Sequence, residues 1–200
     1  MSVFIPRLVV ATNNAGKLAE FALLLADFVG EVISQRDLQI PAIAETESTF
    51  EGNALLKARH ASQYAQCAAL ADDSGLEVDA LGGAPGVYSA RYAGEGASDA
   101  LNNARLLEAL RATSAPRTAR YRTVLALVSG PADPKPIIVQ GIWEGEIVLD
   151  PRGGHGFGYD PYFWVPALNK TAAELSLKDK NELSHRAQAI RALQARLASE

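Results

Sequence analysis

The stretch Ala68-Ala69-Leu70-Ala71-Asp72-Asp73-Ser74-Gly75 decides how this chain is read. A short run of small and apolar residues reads as a buried strand, Ala68–Asp72, with the two acids and a Ser-Gly turn at its carboxyl end. In open α/β sheets that edge is where ligands bind. Adjacent carboxylates repel unless a proton or a cation stands between them, so one reading is a divalent-metal site acting on an anionic substrate. The other is a solvated turn, because Asp-Ser-Gly is good turn chemistry.

On the amino-terminal side, Arg7–Thr12 reads as a first buried strand and residues 13–17 as a tight turn into a helix. Leu18, Phe21, Leu25 and Phe28 recur at helical spacing, and Gly30 ends that segment. Glu31–Gln35 reads as a second strand. Ser48 or Thr49 opens a helix running to about Gln66, with Glu51 completing a partial capping box. On the carboxyl-terminal side, residues 75–97 read as a long ordered loop with one helical turn, and Ser98 caps a helix to about Ala112. Strand-like runs follow at Tyr121–Ser129, Ile137–Trp143 and Glu146–Leu149, with turns at Gly130-Pro131 and Glu144-Gly145; the first two runs should pair antiparallel. A glycine-rich loop, an aromatic strand Pro161–Val165 and a helix from about Ser184 to Leu197 complete the chain. This order predicts an α/β protein with a central mixed β-sheet and flanking helices. No linker divides it, so residues 1–200 read as one domain.

The composition excludes several classes. The chain has 200 residues, 48% hydrophobic and 21% charged, with a net charge of −4. That describes an ordinary globular protein with a sizeable core. Lys and Arg are not clustered as phosphate neutralisation requires, so duplex nucleic acid is not the expected partner. Cys67 is the only cysteine, which forbids an internal disulfide, and no Cys/His spacing resembles a zinc site. Met1–Val10 is not a signal peptide, and no run reaches the roughly 18 apolar residues of a membrane span. The expected compartment is the cytoplasm.

Several polar residues fall where apolar ones belong. In the helix over 49–66, Phe50, Ala54 and Ala61 align within about 40°, and Lys57 lies in the middle of that stripe with Asn53 on its edge. Such a lysine snorkels, pairs with a carboxylate, or points into a site. In the last helix Arg186 falls on the stripe of Ile190, Leu193 and Leu197, at the amino-terminal turn, where anions are favoured. His185 stands beside it. Lys17 lies in the first turn of its own helix, an unfavourable place for positive charge unless an anion is held there. Thr12, Asn14 and backbone N–H groups would supply donors to that anion. Gly153-Gly154-His155-Gly156-Phe157-Gly158-Tyr159-Asp160 implies close backbone approach, with aromatic faces on which a base could stack. Neither a Walker A motif nor a dinucleotide fingerprint is present. Metal-binding carboxylates, an anion turn, inward Lys and Arg, and an aromatic–glycine loop together form the inventory for a nucleoside triphosphate.

The chain resembles the inosine triphosphate pyrophosphatase family across nearly its whole length. The matching blocks are Ala-Thr-Asn-Asn-Ala-Gly-Lys (11–17), Ala-Glu-Thr (44–46), Thr-Phe-Glu-Gly-Asn-Ala-Leu-Leu-Lys-Ala (49–58) and Ala-Asp-Asp-Ser-Gly-Leu (71–76). They continue with Gly-Gly-Ala-Pro-Gly-Val-Tyr-Ser-Ala-Arg-Tyr (82–92), Gly-Phe-Gly-Tyr-Asp-Pro (156–161), Lys-Thr-Ala-Ala-Glu-Leu (170–175) and Lys-Asn-Glu-Leu-Ser-His-Arg (180–186).

The resemblance implies a homodimer whose subunits have two lobes enclosing a substrate cleft. It implies hydrolysis of deaminated purine nucleoside triphosphates (dITP, ITP, XTP) to the monophosphate and pyrophosphate. It also implies Mg²⁺, one or more per subunit, with Mn²⁺ as a substitute. Glu45 and Asp73 match the metal-binding acids, with Asp72 close by, and Asp73 matches the general base. Thr12, Asn14, Lys17 and Lys57 match the triphosphate contacts within the substrate block that includes Asn13, Ala15 and Gly16. Ser74 lies in the substrate site, and Phe157, Gly158, Tyr159, Asp160, Lys180, His185 and Arg186 match positions around the purine. Gly52 departs from the acid expected before Asn53, which bears on the metal shell, and His155 matches no assigned position. Rival readings are a Maf-like nucleotide pyrophosphatase and a nucleotide sensor that does not hydrolyse. A haloacid-dehalogenase-like phosphatase needs Asp-x-Asp, where this chain has Asp72-Asp73-Ser74.

Overall fold

The structure, a computed structural model, describes residues 4–199; Met1–Val3 and Glu200, the ends of the expected 1–200 domain and part of the segment read as no signal peptide, lie outside the described residues. The elements in chain order are β1 (Ile5–Val10), α1 (Ala15–Leu25), β2 (Val29–Ser34), α2 (Phe50–Ala65), β3 (Ala69–Val78), α3 (Asp99–Arg111), β4 (Thr118–Val128), β5 (Ile137–Ile147), β6 (Phe163–Val165), β7 (Lys170–Thr171), α4 (Leu177–Leu183) and α5 (His185–Ala198). One seven-stranded sheet runs in the order β2-β1-β3-β4-β5-β6-β7. β1 lies parallel to β2 and β3, and β6 lies antiparallel to β5 and β7, so the sheet is mixed as the alternation of elements predicted.

The chain divides into two compact units. The first comprises Met1–Asp73, Thr123–Gly141 and Arg186–Glu200; the second comprises Ser74–Arg122 and Ile142–His185. Each has its own core. In the first, Leu8, Phe21, Leu25, Leu70, Leu125, Ile190 and Leu193 pack together. In the second, Leu76, Val78, Leu106, Tyr121, Trp143, Ile147 and Phe163 do so. Burial of these side chains, about 25 cal/mol per Å² of apolar surface, is what stabilises each unit.

Three elements differ from the sequence expectation, each for a physical reason. β3 does not end at Asp72 but runs to Val78, because Leu76 and Val78 are fully buried in the second core. The acid pair therefore stands in mid-strand, and Ser74-Gly75 is strand rather than turn. β5 is continuous through the expected turn at Glu144-Gly145. Gly145 is there for close approach: a Cβ would collide with the Trp164 carbonyl of β6, its antiparallel neighbour. α1 stops at Leu25, so Phe28 enters the core from the connection to β2, and Gly30 lies within β2. The pattern gave no sign of the short helix α4 or of β7, and the one helical turn expected within 75–97 is two 3-10 turns, Asp79–Leu81 and Gly86–Arg91.

Candidate active site

In the first unit, β1 delivers the chain into α1 through Thr12 and Asn14. Asn14 is the helix N-cap, its Oδ1 accepting from Lys17 N at 3.0 Å, and Thr12 Oγ1 accepts from Asn14 N at 3.2 Å. A capping amide and a hydroxyl still carry N–H and O–H donors after accepting these bonds. Lys17, the cation in the first turn, is answered from within the chain: its Nζ donates to Asp72 Oδ2 at 2.7 Å. Arg186, in the first turn of α5, is 3% exposed; its Nη1 donates to Glu20 Oε2 at 2.7 Å and its Nε lies 3.7 Å from Asp72 Oδ2. The result is a series of alternating charge, buried Glu20, Arg186 and Asp72 ending at half-buried Lys17. Burial opposes the ionised form of Asp72, but Lys17, Arg186 and Lys57 outweigh it and hold its carboxyl well below the usual range.

Asp73 sits in different company. α2 begins at the N-cap Thr49, whose side chain accepts from Gly52 N, and presents Asn53 and Lys57 inward. Lys57 Nζ donates to Glu45 Oε1 at 2.8 Å and to Asp73 Oδ1 at 3.0 Å. Asn53 Nδ2 donates to Asp73 Oδ2 at 3.1 Å, while its Oδ1 accepts from Glu47 N, which ties the 45–47 segment to the helix. Lys57 thus pairs with carboxylates instead of snorkelling. Burial lowers its affinity for a proton, but Asp73, Asp72 and Glu45 together raise it, so it stays an ammonium. For Asp73, burial and the nearby Glu45 push the carboxyl upward against the pull of Lys57. Two adjacent acids are thereby driven apart in proton affinity by their surroundings.

The donors of this group suit a hard divalent cation. Glu45 Oε1 and Asp73 Oδ1 already converge on one positive centre, the Lys57 ammonium. Mg²⁺ is held by one or two carboxylates plus phosphate oxygens and water, not by an all-protein cage. Among the described residues no three His, Cys, Asp or Glu side chains gather closely enough to hold a metal ion by themselves. Gly52 also has a local cause: a Cβ there would stand 2.7 Å from Glu47 Cβ, so the course of the 45–47 segment leaves no room for an acid.

In the second unit the centre is Asp160, 3% exposed. Its Oδ1 accepts from Tyr121 Oη at 3.1 Å, and its Oδ2 accepts from Lys180 Nζ at 2.7 Å and Phe157 N at 3.0 Å. The Lys180 ammonium lies 4.9 Å from the centre of the Phe157 ring, within cation–π range. His185 stacks on Tyr121, with centroids 4.9 Å apart and planes at 15°. The glycine loop is fitted around this acid: Gly156 has φ +77°, and a Cβ there would overlap Asp160 Oδ2. Gly158 is clamped from α3, its N donating to Asp99 Oδ2 and its carbonyl accepting from Asn103 Nδ2. A cavity of about 400 Å³ opens on this loop, with Asp99, Asn103, His155, Phe157 and Tyr162 in its lining. Tyr159 is buried and donates to the Ser89 carbonyl, and burial holds its hydroxyl far above its ordinary range.

The structure therefore collects Thr12, Asn14, Lys17, Glu45, Lys57, Asp72, Asp73 and Arg186 in the first unit. It collects Phe157, Gly158, Asp160, Lys180 and His185 in the second, where Ser74 also lies, on β3. Asn13, Ala15 and Gly16 form the exposed to half-buried turn at the start of α1. Two residues of these groups were not singled out from sequence. Glu20 follows Lys17 by three on α1 and is a buried acid, a spacing that brings it onto the same helix face. Tyr121 alternates inward along β4, where a strand tyrosine carries no mark of its own.

A strand acid, Asp73, and an acid outside the sheet, Glu45, share Lys57 near the Lys17–Asp72 pair at the capped start of α1, an arrangement that suits a phosphate-handling hydrolase of α/β architecture. Residues 8–196 match the Ham1 family, and the chain belongs to it. It is 57% identical over 194 residues to the dITP/XTP pyrophosphatase of Ralstonia nicotianae, covering 96% of both chains. It is 50% identical over 195 residues to the enzyme of that name from Vibrio parahaemolyticus, covering 97% of this chain and 98% of the other. The HAM1 protein of Coxiella burnetii superposes with a TM-score of 0.89 at 47% identity, covering 98% of this chain and all of that one.

Proposed function

We propose that this protein hydrolyses deaminated purine nucleoside triphosphates (dITP, ITP and XTP) to the nucleoside monophosphate and pyrophosphate, clearing them from the nucleotide pool. The observation that carries the reading is Lys57 held between Glu45 and Asp73 beside the Asp72–Lys17 pair. Glu20, Glu45, Asp72 and Asp73 outnumber Lys17, Lys57 and Arg186 by one. A triphosphate entering that acid excess needs added positive charge.

Glu45 and Asp73, with Asp72 adjacent, would hold Mg²⁺, which supplies charge neutralisation on the phosphate oxygens and a more acidic water. Asp73 takes the proton of the attacking water as its oxygen bonds to the α-phosphorus. The bond to the bridging oxygen breaks, and its electron pair leaves on pyrophosphate. Lys17 and Lys57 offset the charge on that leaving group, and Thr12 and Asn14 donate to phosphate oxygens. The family resemblance assigns Phe157, Lys180, His185 and Arg186 to the purine. Lysine and arginine have only donors, which suit a 6-keto oxygen and oppose the 6-amino group of adenine. Buried hydrogen bonds of this kind discriminate by roughly 10⁴-fold or more. Following the family resemblance, we read the enzyme as a cytoplasmic homodimer; no helix among the described residues is long and apolar enough to cross a membrane.

A panel of dITP, ITP, XTP, ATP, GTP and modified pyrimidine triphosphates, scored for pyrophosphate against orthophosphate, tests the reading. Pyrophosphate from the deaminated purines, abolished by a chelator and restored by Mg²⁺ or Mn²⁺, is expected. Binding without release would make the protein a sensor, and a preference for modified pyrimidines would make it Maf-like.

A further inference from the structure

We propose that Tyr121 is a positioning residue for base selection: its hydroxyl pins Asp160, and through it Phe157 and Lys180, while its ring sets the plane of His185. The proposal rests on the reading that this cluster meets the purine.

The terminal torsion of an aspartate is soft and nearly two-fold, so the orientation of its carboxylate is decided by its partners. Asp160 is pinned from two sides. Tyr121 Oη holds Oδ1 at 3.1 Å, and Phe157 N and Lys180 Nζ hold Oδ2. Without the hydroxyl the carboxylate can rotate, and both donors now sharing Oδ2 lose their common anchor. The aromatic face and the ammonium beside it, 4.9 Å from the ring centre, would then lose their mutual placement. A misplacement of this kind costs selectivity because a donor must meet the 6-keto oxygen along a narrow direction. The same tyrosine controls the other side of the group: the His185 ring lies on it at 15°. Tyr121 is itself fixed, 8% exposed and packed on Phe163 at 4.4 Å between ring centres. One side chain thus touches Asp160 through its polar tip and His185 through its face.

Tyr121→Phe keeps the ring, its stack and its packing while removing the hydroxyl, so the variant should fold. Steady-state constants for dITP and ATP are measured on it, on the unaltered protein and on Phe157→Leu. Tyr121→Phe should raise KM for dITP about tenfold with little change in kcat, and narrow the dITP-to-ATP ratio of kcat/KM by about the same factor. A purely structural role would lower melting temperature and activity on both nucleotides alike, and that outcome overturns the proposal. So does an unmoved ratio in Tyr121→Phe when Phe157→Leu raises KM for dITP, in which case the base site stands and Tyr121 has no part in it. An unmoved KM in Phe157→Leu shows that the purine binds elsewhere, and the proposal falls with the reading beneath it.

Discussion

Asp72 and Asp73 in the first unit and Asp160 in the second are all buried, yet their surroundings differ in kind. Asp160 is closed, its two oxygens taken by a hydroxyl, an ammonium and a backbone N–H. The pair in the first unit is held mainly by cations instead, Asp72 by Lys17 and Arg186 and Asp73 by Lys57 and the Asn53 amide, with a third carboxylate, Glu45, sharing Lys57. A closed acid fixes geometry, and an acid cluster with an excess of negative charge invites a cation. The same side chain therefore serves as a scaffold in one place and as a reagent in the other. Within the first-unit cluster the division repeats. Asp72 is held ionised by Lys17, Arg186 and Lys57, whereas burial and Glu45 lift Asp73 toward accepting a proton.

The largest break in this comparison should come from Asp73→Asn. Pyrophosphate release from dITP is expected to fall about 10³-fold, as for loss of a general base that also binds metal. Near-normal turnover would remove Asp73 from that role. Asp72→Asn should reverse the emphasis, leaving Lys17 and Arg186 without their shared buried anion and costing about 3 kcal/mol of stability. Urea melts of the two variants side by side read this directly, and equal losses would erase the distinction between the acids.

Gly156→Ala attacks the closed acid. It forces a Cβ onto Asp160 Oδ2 at a positive φ and should cost about 2 kcal/mol, seen as a raised KM for dITP and a lowered melting temperature. Arg186→Ala gives the smallest effect on selectivity, although leaving Glu20 and Asp72 buried without their shared cation should also lower the melting temperature. The ratio of ITP to ATP turnover should narrow about tenfold if the guanidinium held by Glu20 reads the base. An unchanged ratio removes Arg186 from base reading.

Much of this was legible in the residues. Lys57 on an alanine stripe and Arg186 on the stripe of α5 announced inward charge, because helical periodicity makes a misplaced polar residue visible. The mixed sheet followed from the alternation of elements. Strand ends were less legible. Asp-Ser-Gly has turn chemistry, and only the burial of Leu76 and Val78 keeps β3 extended through it. α4 left almost no trace, since Leu177 and Leu183 are both exposed and Lys180 is its buried residue. Its one local signal is Ser176, a cap three residues before Asp179. Glu20 and Tyr121 were missed because what marks them is a partner distant in sequence: Arg186 for one, Asp160 for the other.

The division into two units has an optical consequence. The chain has two tryptophans, and both, Trp143 and Trp164, belong to the second unit. Trp143 is buried against Phe163 and Tyr121, while Trp164 lies under the Arg152 guanidinium. Indole emission therefore reports on the second unit alone, whereas far-ultraviolet dichroism averages both. Denaturation followed by the two signals compares the units without a label, and coincident transitions would mean that they melt as one.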